Sequence, residues 1–204
     1  INTPDLAWIK CRNSNTLAPN IYDTVRGATK RLQPSLTNAQ STVNGVVGFT
    51  PSGLELGNAT DDVNYTAGNT YAAWMWNRGQ VPGFDIVTYG GNSSNETMIP
   101  HNLGVVPAMY MTKCLTSYNS SNSFNDWAVW HKDCPTYTGN SKQGKQPLWL
   151  HQTLAASNGV GGFFNNPTST HFGPNQNSYD NVSGQSYIAY LWAEVPGFSK
   201  FGQY

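Results

Sequence analysis

The amino-acid sequence predicts an all-β protein of two homologous β-sandwich units, jelly-roll or lectin-like, produced by an internal duplication. Three observations carry this expectation. Short runs rich in β-branched and aromatic residues alternate apolar with polar positions, glycine- and asparagine-rich turns separate the runs, and the same phrases occur twice in the same order.

Taken along the chain, alternation and composition predict strands at 6–11, 21–26, 46–50, 71–76, 84–89, 106–114, 127–132, 148–152, 162–165, 187–193 and 198–201. Pro51-Ser52-Gly53, Gly90-Gly91-Asn92 and Thr138-Gly139-Asn140 lie between them, and their glycines and asparagines tolerate the backbone angles that turns demand. No window of a dozen residues keeps an apolar stripe at helical spacing. Residues 23–36 come nearest, and Gly27 and Pro34 interrupt them. In 71–76 the large residues Tyr71, Trp74 and Trp76 fall on both parities around Ala72 and Ala73, so an inner sandwich strand with core-filling tryptophans is expected in preference to a sugar-stacking platform.

The duplication is legible by eye. Pro4, Lys10 and Cys11 match Pro107, Lys113 and Cys114, with apolar residues between. Leu56-Gly57 is answered by Phe172-Gly173, and Gly68-Asn69-Thr70-Tyr71-Ala72-Ala73-Trp74-Met75-Trp76 by Gly184-Gln185-Ser186-Tyr187-Ile188-Ala189-Tyr190-Leu191-Trp192. Val81-Pro82-Gly83-Phe84 recurs as Val195-Pro196-Gly197-Phe198. A unit of about 105 to 115 residues is too long for a solenoid repeat and matches a small sandwich.

The frame of the repeat has a consequence. The second copy opens with Gly83-Phe84-Asp85-Ile86-Val87-Thr88-Tyr89; the first has no counterpart, while the sequence closes on Gly197-Phe198-Ser199-Lys200-Phe201-Gly202-Gln203-Tyr204. The expected organisation is a first repeat over 1–80 lacking its opening strand, a second over 81–195, and a terminal strand over 196–204. That strand, with Phe198, Phe201 and Tyr204 as assembly residues, completes the first repeat or a neighbouring subunit, or else begins a third copy.

Composition narrows the function classes. Charged residues make up 11% and balance to a net charge of zero, so the field that nucleic acid or an anionic membrane needs is missing, and neither partner is expected. No run of about 20 apolar residues exists. The start, Ile1-Asn2-Thr3-Pro4, is neither a signal peptide nor an initiator methionine, so a piece of something longer is expected. Three cysteines, Cys11, Cys114 and Cys134, do not make a disulfide framework and read as small buried hydrophobes, although a Cys114–Cys134 bridge stays open.

Candidate chemistry is sparse. His101, His131, His151 and His171 show no ligand spacing, so no metal and no cofactor is expected. Glu55, Asp61, Asp62, Glu96 and Glu194 form no carboxylate pair of glycosidase type, and neither a nucleophile elbow nor a phosphate loop is present, so the chain is expected not to be an enzyme. Asp23 and Arg26 read as a local ion pair. Tyr118, Phe124 and Tyr137, set among Ser, Asn and Gly, are the candidate ligand-binding loop aromatics.

Several phrases carry a resemblance. Pro4-Asp5-Leu6-Ala7-Trp8-Ile9-Lys10, Tyr22-Asp23-Thr24-Val25-Arg26-Gly27, Gly48-Phe49-Thr50-Pro51-Ser52-Gly53-Leu54-Glu55-Leu56-Gly57, Gly68-Asn69-Thr70-Tyr71-Ala72-Ala73-Trp74 and Val195-Pro196-Gly197-Phe198-Ser199-Lys200-Phe201-Gly202 are similar to tandem modules in tail-fibre and other virion proteins of marine bacteriophages, including cyanophages. The resemblance implies a virion structural protein of tail fibre, appendage or capsid surface, assembling with itself and with other virion proteins on the outside of the particle. A receptor- or glycan-binding lectin-like module is the alternative, with a host surface glycan as partner. No catalytic residues come with it. The second copy departs from the pattern where Asp126-Trp127-Ala128-Val129-Trp130-His131-Lys132 replaces the phrase around Arg26.

Overall fold

The computed structural model describes residues 2–58, 62–116, 125–137, 144–156, 164–174 and 179–203. Among them there are only β-strands, in several open sheets, and no helix. The chain divides into two compact units between Arg78 and Gly79, two residues ahead of the expected boundary. Residues 196–203 group with the second unit.

The first unit runs β1 (Leu6–Cys11), β2 (Asn20–Asp23), β3 (Lys30–Arg31), β4 (Ser41–Thr42), β5 (Val46–Thr50), β6 (Gly53–Leu56) and β7 (Tyr71–Trp76). One antiparallel sheet has the order β2-β1-β7; β3–β4 and β5–β6 are separate two-stranded pairs. As the central strand, β1 buries Leu6, Ala7, Ile9 and Cys11, residues of both parities. Ala7, Ile9, Tyr22, Val46 and Val63 form the core, with Phe49, Leu54 and Tyr71 packed on it. The β5–β6 turn closes through Gly53 at φ 134°, a conformation that a side chain disfavours.

The second unit runs β8 (Phe84–Gly90), β9 (Ile99–Pro100), β10 (Met109–Cys114), β11 (Trp127–His131), β12 (Thr136–Tyr137), β13 (Gly144–Lys145), β14 (Leu148–Trp149), β15 (His171–Phe172) and β16 (Ser186–Trp192). Its main sheet has the order β14-β11-β10-β16-β8, and β12–β13 and β15–β9 pair apart from it. The core is aromatic: Tyr110 stacks on Trp130 with ring centroids 5.3 Å apart, and Tyr89 on Tyr187 at 5.2 Å. Burial forces each tyrosine to find an acceptor. Tyr110 donates to the Gly173 carbonyl at 2.8 Å, and Tyr89 to that of Asp180 at 2.7 Å.

Both units share one register. Leu6 lies opposite Trp76, Trp8 opposite Trp74 and Cys11 opposite Tyr71; Met109 lies opposite Trp192, Met111 opposite Tyr190 and Cys114 opposite Tyr187. The flanking bonds agree. Asp5 N donates to Trp76 O and Arg12 N to Thr70 O, while Ala108 N donates to Trp192 O and Leu115 N to Ser186 O. Gly68 (φ 90°) and Gly184 (φ 79°) supply the same left-handed turn before β7 and β16. The units differ at the far edge, where β8 lies along β16 and, among the described residues, no strand lies along β7.

Candidate functional site

The side chains of β7 project alternately to two faces. Trp76, Trp74 and Ala72 lie opposite Leu6, Trp8 and Lys10 and share a face with them. There Trp8, Lys10, Pro19, Trp74 and Trp76 line a cavity of about 460 Å³. Lys10 Nζ donates to Ser14 O at 3.1 Å and to Leu17 O at 2.7 Å, which ties its ammonium to loop carbonyls at the border of the cavity. Tyr71, Ala73 and Met75 face the core side with Ala7 and Ile9.

Among the described residues, the backbone of β7 is paired on one side. In an antiparallel pair, successive residues direct their N–H and C=O to opposite edges. Thr70 and Trp76 bond to β1, so the groups of Tyr71, Ala73 and Met75 are directed to the other edge. The expectation of an inner strand with core-filling tryptophans is therefore corrected: Trp74 is 53% exposed, Met75 48%, and Ala73 is exposed as well. Their sequence counterparts Tyr190, Leu191 and Ala189 are each 0% exposed. Alternation places residues on faces but says nothing about how many neighbours a strand has, so the signal was limited to the missing opening segment.

The terminal residues form no strand in place of the one expected at 198–201. Val195 to Ser199 closes a turn, in which Val195 N donates to Ser199 O and Phe198 N to Val195 O. Phe198 is 80% exposed at its tip. Phe201 lies beside His131, ring centroids 6.3 Å apart, and Gly202 and Gln203 border a cleft with His131, Asp133, Cys134 and Leu148. Burial pushes the Cys134 thiol up, which disfavours the nucleophilic thiolate. Tyr204, Tyr118 and Phe124 lie outside the described residues; Tyr137 belongs to β12, with its side chain outside them.

Two polar groupings escaped sequence reasoning. His151 Nε2 lies 3.2 Å from Asp126 Oδ1, both nearly buried, and burial raises Asp126 while His151 and Lys113 pull it down. Lys113 is itself fully buried, donating to Cys114 O at 3.0 Å, and burial lowers its ammonium to about 8. No local motif announces either one. Among the described residues no three His, Cys, Asp or Glu side chains converge as metal ligands, and all three cysteines are free and buried. The expected ion pair is present: Arg26 Nε donates to Asp23 Oδ2 at 2.5 Å.

A family model described as a domain of unknown function, DUF7483, matches residues 2–204. No curated protein and no solved structure matches the chain.

Proposed function

We propose, from the resemblance of its phrases to phage virion modules, that this chain, which belongs to the DUF7483 family, is a structural component of a bacteriophage particle, in a tail fibre, an appendage or the capsid surface. It consists of two homologous β-sandwich units from one duplication, and it acts through assembly and the presentation of surface. The observation that carries this reading is the contrast between β7 and β16: one register, with an edge that is covered in the second unit and, among the described residues, open and aromatic in the first. Proteins blunt or cover such edges, because unpaired backbone beside apolar side chains invites another strand. A neutral surface with few charges suits permanent packing against other chains.

Immunogold labelling of purified particles of the encoding phage, with antibody raised against this chain, tests the assignment. Labelling at a fixed position is expected; particles whose protein contains none of this chain defeat it.

A second reading, a lectin-like receptor binder, is favoured by the three indoles around the Lys10 cavity, since sugar rings stack on exposed tryptophan. The loop aromatics Tyr118, Phe124 and Tyr137 are the rival platform. Glycan-array binding that Trp74→Ala abolishes would select the cavity, and loss on Tyr118→Ala would select the loop.

A further inference from the structure

We infer that the open edge of β7 accepts residues 198–203 of a second copy of this chain as an added antiparallel strand, joining copies head to tail. The inference rests on the assembly reading and names its contact. The second unit supplies the template. There β8, introduced by Val81-Pro82-Gly83, pairs with β16 so that Phe84 lies opposite Trp192, Ile86 opposite Tyr190 and Val87 opposite Ala189. The one other Val-Pro-Gly-Phe in the sequence is 195–198, and it leads into Ser199-Lys200-Phe201-Gly202-Gln203.

Laid on β7 in the β8 register, the segment places Phe198 opposite Trp76, Lys200 opposite Trp74, Phe201 opposite Ala73 and Gly202 opposite Ala72. Each juxtaposition has a physical reason. Phe198 repeats the Phe84–Trp192 contact, in which ring centroids lie 5.1 Å apart. Lys200 sets an ammonium by the indole of Trp74, a cation–π pair. Phe201 covers the small Ala73 on the core face, beside Ala7 and Ile9. The outward N–H and C=O groups of Tyr71, Ala73 and Met75 gain partners, as strand addition requires. Phe198 is mostly exposed and 200–203 lie outside any sheet, so the donor is free of strand pairing; to add to β7 it exchanges the Phe201 contact with His131 and the Phe201 N–Glu194 Oε1 hydrogen bond of 3.1 Å for the new ladder.

Each copy carries one donor and one acceptor, so complementary variants test the contact. Ala73→Pro removes an outward N–H, which an edge strand tolerates, and blocks the acceptor. Phe201→Asp spoils the donor. Sedimentation velocity between about 1 and 100 µM, the range of modest affinities, should show wild type associating with concentration and each variant monomeric. Their equimolar mixture should stop at dimers, one intact donor on one intact edge. Circular dichroism reports whether the variants fold, and a peptide of residues 195–204 added to wild type bypasses them, dissociating the oligomers where a scrambled peptide does not.

Wild type that stays monomeric throughout, or oligomers that ignore both substitutions and the peptide, would overturn the inference. So would oligomers that form as readily after residues 198–204 are deleted, since another surface would then carry the contact. Immunogold labelling is independent of all these outcomes, so a failed strand addition leaves the virion assignment standing or falling by itself.

Discussion

Phe84 lies against Trp192 across the β8–β16 pair, ring centroids 5.1 Å apart and planes tilted by 40°. Both side chains are buried. Truncating Phe84 to Ala removes a full aromatic and leaves a void, so unfolding in urea should show a loss of about 3–5 kcal/mol. Trp74→Ala, on the half-exposed strand β7, should cost under about 1 kcal/mol in the isolated monomer. Equal losses would mean that β7 is covered in solution.

Arg26 and Asp23 form an ion pair whose side chains are almost wholly buried, and Asp23 Oδ1 also accepts from Arg26 N at 2.8 Å. Removing one partner strands the other charge away from water. Arg26→Met should therefore cost about 3–5 kcal/mol, and the double variant Asp23→Asn/Arg26→Met distinctly less than the Arg26→Met and Asp23→Asn losses added together. Thermal unfolding of the four proteins decides the matter; additive losses would contradict the pairing.

Burial lowers the Lys113 ammonium to about 8, from 10.5 when unfolded. Between those values the unfolded chain holds a proton that the folded chain has released, so stability rises with pH through the window; below it the full burial penalty remains. Lys113→Met abolishes this dependence. Relative to wild type, the variant should lose about 3 kcal/mol of standing between pH 7.5 and 10.5, measured by denaturant unfolding at each pH. The buried tyrosines Tyr89, Tyr110 and Tyr187, which burial pushes up, are common to both proteins and cancel in the difference. A difference that does not move with pH would exclude an ammonium buried in this way.

Gly57 and Gly173, matched in sequence, are both short of room rather than of backbone freedom. A methyl group on Gly57 would overlap the Asn44 carbonyl, and one on Gly173 would overlap Asn165. Gly57→Ala and Gly173→Ala should each destabilise by about 1–3 kcal/mol through overpacking. Gly202→Ala, in open space, should be neutral in thermal unfolding.

The longer strands were legible because they are rich in aromatic and β-branched residues: 46–50 and 71–76 agree with β5 and β7 to the residue, and 84–89 and 187–193 fall within one residue of β8 and β16. Two-residue strands such as β3, β9 and β15 were not, since so short a segment has no period and is set by whatever it packs on. The free edge was half legible. A repeat lacking its opening segment implies a vacancy, whereas the exposure of Trp74 depends on neighbours, which no property of residues 71–76 encodes. Asp126 and His151 are 25 positions apart in sequence, and only the folded sheet brings them together.

Tyr71 follows Cys11 by 60 residues and Tyr187 follows Cys114 by 73, yet each tyrosine faces its cysteine in the same ladder. Closing the longer excursion adds only about 0.2 kcal/mol of chain entropy. The difference in length between the two excursions is therefore close to free in closure entropy, while the rungs themselves keep their alignment. A ladder of this kind fixes which residues meet and leaves the length of chain between them open.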